Sequence, residues 1–133
     1  MAFGDYFYSK YLKYSYDSNI NLARSYYDTL CSSVGSSEVM ELLCIVAGAN
    51  EGVTLRKYNA VIDVTNDRGS YGMFASLAKD MHTPYMVKRV CNMFSGSNDT
   101  MSAAINFVYL FASLSGRFTE EDELMCSYIM GEK

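Results

Sequence analysis

His82 is the only histidine in the chain, which excludes a cluster of histidine metal ligands and any mechanism that needs two imidazoles. It stands next to Thr83-Pro84, a helix-start signal, and reads as a loop or cap residue. The four cysteines, Cys31, Cys44, Cys91 and Cys126, are separated by 13, 47 and 35 residues. Zinc ribbons and dithiol redox sites need close thiolate pairs, so neither fits. Cys44 and Cys126 fall inside apolar helical patterns, where cysteine acts as a small hydrophobe. Gly69-Ser70-Tyr71-Gly72 and Gly96 match neither a phosphate-binding loop nor a dinucleotide fingerprint. The acidic run Glu120, Glu121, Asp122, Glu123 could in principle hold a metal or a basic partner. The simpler reading is a solvated helix N-terminus, where carboxylates are favoured by the helix dipole. No pair of carboxylates is fixed across a cleft by spacing alone.

The other chemically distinctive stretch is the N-terminal third. Tyr6, Tyr8, Tyr11, Tyr14, Tyr16, Tyr26 and Tyr27 crowd a region that also carries Lys10, Lys13 and Arg24. A helix over 3–16 would use Phe3, Phe7, Tyr11 and Tyr14 as its apolar stripe, leaving Tyr6, Tyr8 and Tyr16 off it. Rings beside flexible cations are common in protein interfaces. Tyr8, Lys10, Tyr11, Lys13 and Tyr14 are therefore expected to contact another protein chain, a partner or a second copy. An acidic partner surface would suit Lys10 and Lys13.

The elements that must position these residues are helical. The chain has 133 residues, half of them hydrophobic and a fifth charged, which suits one globular domain and excludes a disordered or low-complexity chain. Its formal net charge of −4 disfavours a nucleic-acid partner. No apolar run is long enough to cross a membrane. The first residues lack the basic and apolar regions of a secretory signal, so a cytoplasmic location is expected.

A stripe of Ile20, Leu22, Ala23, Tyr26, Tyr27 and Leu30 predicts a helix from Ser18 to about Ser33. Ser36 or Ser37 is placed to cap the next helix, over 38–50, which is apolar nearly all round and belongs at the centre of the domain. A further helix carries Leu55, Tyr58, Val61 and Ile62 on one face, and a shorter one carries Met73, Phe74, Leu77 and Ala78. Thr83-Pro84 starts another, ending near Phe94. A second all-apolar helix spans 100–114, and Thr119 caps a last one with Leu124, Met125, Tyr128 and Ile129 as its core stripe. The expected fold class is all-α: six to eight helices in a single domain over 1–133, with 1–16 a short aromatic-rich N-terminal helix or arm.

The two apolar helices are each followed by a glycine turn and an amphipathic helix. An offset of 64 lays Gly52 on Gly116, Leu43 on Phe107 and Val46 on Leu110, then Ala60 on Leu124, Val61 on Met125 and Val64 on Tyr128. Two such hairpins would pack their central helices about an approximate two-fold axis. VYLFASLSGRFTEEDELM, residues 108–125, resembles the repeated motif of the tellurite-resistance TerB-like family, and LCIVAGANEGVTLRKYNAVI, residues 43–62, resembles its other copy. In that family an apolar helix ends in Asp-Gly and a Ser/Thr-capped helix with an acidic residue follows. Clustered acids there are linked to divalent metal binding. Here the acid before glycine is Glu51 in the first copy and is replaced by Ser115 in the second, while the later acid is Asp122 in the second and falls on Tyr58 in the first. The resemblance thus implies at most a weak divalent site at Glu51 and Asp122, since calcium takes six to eight oxygens, and no other cofactor.

The expected function is a non-enzymatic TerB-like module, a stress-response or adaptor protein acting by protein contact. The alternatives are a small inhibitor encoded by a phage or mobile element, and a metal-dependent enzyme using surface carboxylates. Genomic neighbourhood separates the first two.

Overall fold

The computed structural model describes residues 11–67 and 69–131. Among the described residues there are seven helices and no strand: α1 Tyr16–Ser33, α2 Ser36–Ala47, α3 Leu55–Thr65, α4 Tyr71–Met81, α5 Pro84–Asn92, α6 Asn98–Ser115 and α7 Glu120–Ile129. Six of them begin as their sequences require, with a serine or threonine hydroxyl accepting from a first-turn backbone N–H: Ser15, Thr54, Ser70, Thr83, Ser97 and Thr119. α2 is the exception and corrects the expectation for Ser36 or Ser37. Its N-cap is Gly35, at φ 130°, and no side chain caps it. Only Val34 and Gly35 separate α1 from α2, and so tight a reversal needs a backbone angle that serine rarely adopts.

α2 and α6 are the apolar helices, and they form the centre. Leu42, Leu43, Cys44, Ile45 and Val46 of α2 are buried, as are Phe107, Val108, Tyr109, Leu110 and Phe111 of α6. α2 touches α1, α3, α4, α5 and α6, while α6 touches α1, α2, α3 and α7. The repeat is larger than two hairpins. α1 packs on α3 as α5 packs on α7, and α1 packs on α6 as α5 packs on α2. The repeating unit is therefore three helices, α1–α3 and α5–α7, with α4 inserted between them against α2.

At the 64-residue offset buried Leu43 and Val46 of α2 match buried Phe107 and Leu110 of α6. Gly52 and Gly116 both take left-handed angles, φ 86° and 80°, although α2 ends four residues earlier than α6 in this register. The outer helices do not keep it. Two residues join Gly52 to α3 and three join Gly116 to α7, so matching the Thr54 and Thr119 caps shifts the register by one. Ala60, Val61 and Val64 then fall on Met125, Cys126 and Ile129, all buried, whereas Leu124, the first partner of Ala60, is 48% exposed. The shift also lays Lys57 on Asp122, both at the third position of a threonine-capped helix and both buried.

The N-terminal stripe is corrected as well. Residues 13–15 are not helical and α1 begins at Tyr16, so no continuous helix reaches 16. Tyr11, expected in a partner contact, is core: it is 2% exposed, its hydroxyl donates to Asn106 Oδ1, and its ring lies 5.4 Å from that of Tyr109. Asn19 Nδ2 holds its carbonyl at 3.1 Å. Tyr11→Phe leaves the buried Asn106 oxygen without this donor and is expected to lower the unfolding free energy by about 1–3 kcal/mol, measured by urea denaturation. No helix among the described residues is long and apolar enough to cross a membrane.

Candidate functional site

Two places bring chemically capable side chains together. The first is the junction where the turn after α2 meets the turn before α7. Asn50 sits at φ 63°, a left-handed angle that asparagine tolerates. There its backbone N–H donates to Glu121 Oε2 at 2.9 Å, and its Nδ2 donates to both oxygens of Asp122 at 3.3 and 3.4 Å. Thr119 Oγ1 lies 2.7 Å from Asn50 Oδ1, and Thr119 and Asp122 form a reciprocal capping box at the start of α7. Across the pseudo-two-fold, Ser115 Oγ donates to Glu51 Oε1 at 3.0 Å, joining two residues that the 64-residue offset makes equivalent.

Lys57 enters this junction from α3. Its side chain is 1% exposed, and its Nζ donates to the carbonyls of Ala49 at 2.9 Å and Gly52 at 3.2 Å, with Glu51 Oε1 at 3.8 Å. Two of the three ammonium protons thus have carbonyl acceptors, and Glu51 adds an ion pair beyond hydrogen-bond distance. Burial pulls the Lys57 pKa below its usual value, against the opposing pull of Glu51, Asp122 and Glu121. Burial pushes the Asp122 carboxyl upward, opposed by the hydrogen bonds from Thr119 and Asn50. Glu51 is also pushed up by burial, but its bonds from its own backbone and Ser115, together with Lys57 and Arg117, bring it below the usual carboxylate range.

Glu51 and Asp122 both lie at this junction, each held by its own partners. Glu51 is directed to Ser115 and Lys57, and Asp122 to Thr119 and Asn50. Among the described residues no group of three or more His, Cys, Asp or Glu side chains could hold a metal ion. The residues present do not fit a divalent cation, because a buried ammonium already faces the oxygens that would bind one. His82, the C-cap of α4, lies with Nε2 3.3 Å from Glu121 Oε1 at the edge of the same junction.

Sequence spacing marks Thr119 as a cap and Glu121 as part of an acidic run, but not their junction with Asn50 and Lys57, for which one signal exists. Lys57, Val61 and Val64 lie four and then three residues apart on the buried face of α3, and Asp122, Cys126 and Ile129 do the same on α7. A charged residue in phase with an apolar stripe marks a buried charge that must find a partner.

The second place is a cleft of about 650 Å³ between the chain before α1, the start of α3 and the end of α6. Tyr14, Leu55 and Leu12 border it and are 56%, 63% and 41% exposed. Tyr16 donates to Asp63 Oδ2 at 2.5 Å on one side, and Arg56 donates to the carbonyl of Leu114 at 3.2 Å on another. Burial and then the Asp63 bond push the Tyr16 hydroxyl pKa upward, so it acts as a donor rather than an ionising group. Of the residues expected to meet a partner, Lys13 and Tyr14 are exposed, Tyr11 forms the cleft floor as core, and Tyr8 and Lys10 lie outside the described residues. Neither family models nor curated proteins nor solved structures give a match to the chain.

Proposed function

We propose that the chain is a non-enzymatic binding module of the TerB-like kind, a stress-response or adaptor protein that acts by contact with another protein chain. The observation that carries this reading is the cleft beside α1, where Leu12, Tyr14 and Leu55 present large apolar groups to solvent around a polar frame of Arg56 and Asp63. Apolar surface gathered in one concave place marks contact sites on soluble proteins, and tyrosine combines ring area with a polar tip. The TerB-like assignment draws support from two buried apolar helices, each followed by a left-handed glycine, Gly52 or Gly116, and then by a threonine-capped helix. The non-enzymatic assignment draws support from the junction carboxylates, each of which holds turns and caps together. Four free thiols, three of them buried, suit a reducing, cytoplasmic setting.

The double variant Tyr14→Ala, Leu55→Ala is expected to change the unfolding free energy by no more than about 1 kcal/mol, since both side chains are largely exposed. Association with the chains that co-purify with the tagged wild type, or with a second copy, is expected to fall at least about tenfold, the loss of one interface anchor. Unchanged association with intact stability would remove the cleft from the proposal.

A further inference from the structure

We propose that the turn Ala49–Gly52 is a cation seat whose cation is the chain's own Lys57 ammonium, and that small cations can enter it only when that side chain is shortened. The seat is made of hard oxygens: the carbonyls of Ala49 and Gly52 at 2.9 and 3.2 Å and the Glu51 carboxylate at 3.8 Å. Glu51 is the carboxylate within 4 Å of the ammonium, and Asp122 and Glu121 of the same junction add electrostatic attraction from further away. Carbonyls and carboxylates converging on one point are the donor set of a hard cation. Of these donors, the two carbonyls are turned inward by a turn that has left-handed angles at Asn50 and Gly52. Lys57 reaches them from the third position of α3, its stem buried along the helix's apolar face with Val61 and Val64. The equivalent position of α7 carries Asp122. Opposite charges at the two equivalent positions let the junction close with internal partners on both sides. An external divalent ion would meet a buried like charge.

Thermal unfolding of the full chain, with Lys57→Ala and Lys57→Met, tests this. Wild type is expected to melt at the same temperature in millimolar calcium chloride, ethylammonium chloride and sodium chloride matched for ionic strength. Lys57→Ala is expected to melt about 10 °C lower or more, from the lost packing of a buried four-carbon stem and two carbonyls left without their charged donor. Calcium or ethylammonium should recover much of that loss, and matched sodium should not. Lys57→Met, which keeps the apolar stem and lacks the charge, should also melt below wild type. A calcium-specific stabilisation of wild type, a Lys57→Met variant as stable as wild type, or no recovery of Lys57→Ala by either cation would each overturn the proposal. Should Lys57→Ala fail to fold, the wild type decides by nitrogen-15 NMR. A slowly exchanging lysine ammonium with cross-peaks to the 49–52 turn is expected, and lysine ammonium groups that all exchange at the solvent rate would overturn it.

Discussion

Phe107→Ala is expected to lower the unfolding free energy by about 3–5 kcal/mol, the range for truncating a fully buried phenylalanine. Phe107 is 1% exposed on α6, the helix that touches α1, α2, α3 and α7, so the void would open among several elements. Its neighbours along the helix, Ala103, Ala104 and Phe111, are themselves buried and held by the same packing, which limits collapse into the space. Leu43, at the equivalent place on α2, should cost about 2–5 kcal/mol as alanine. Leu124→Ala supplies the contrast. Leu124 is 48% exposed, and its truncation should stay within about 0.5 kcal/mol. A large loss at Leu124 would restore the unshifted register for α7. Urea titrations with a common slope give all three values.

Asp122→Ala is expected to cost about 2–4 kcal/mol, more than the cap alone. Losing an N-terminal cap costs about 1 kcal/mol, and Thr119→Ala measures that part together with the Thr119–Asn50 bond. Asp122 does more: it is 2% exposed and accepts from the Thr119 backbone N–H and from the Asn50 amide. Truncation leaves those half-buried donors without their acceptor, which adds about 1–3 kcal/mol, and it removes one of the carboxylates that balance Lys57. The difference between Asp122→Ala and Thr119→Ala in equilibrium unfolding therefore reads the junction. Equal losses would reduce Asp122 to a simple cap residue.

Helix order was legible in the sequence wherever a cap and a periodic stripe coincided, as at Thr83-Pro84 and at Thr119. The two central helices were legible from their lack of any polar face. Gly35 escaped because cap preferences favour serine, while a two-residue reversal is governed by backbone angle. The one-residue shift in α7 escaped because Gly52 and Gly116 align well, and only the longer Arg117–Thr119 connection reveals it. Lys57 gives no sign of burial by its type alone, because a lysine in an amphipathic helix is ordinarily solvated. Its phase with Val61 and Val64 was the available sign, and it gained meaning only when the turn carbonyls were seen to face it. Tyr14 falls on the apolar stripe only if a 3.6-residue period is extended through residues 13–15, which bend instead. Tyr14 thereby leaves the core and borders the cleft, while Tyr11 enters the core against Tyr109.

Site-specific photo-crosslinking in the native cell tests the binding-module proposal most directly. A benzophenone side chain at Tyr14 reports on the cleft, and the same group at Tyr85, 70% exposed on α5 and outside the cleft lining, controls for chance encounters. A discrete crosslinked chain, identified by mass spectrometry, is expected from position 14 and not from position 85, and Leu55→Ala should diminish it. The same faint, unspecific products from both positions, with the protein folded and abundant, would contradict a protein-binding role for the cleft.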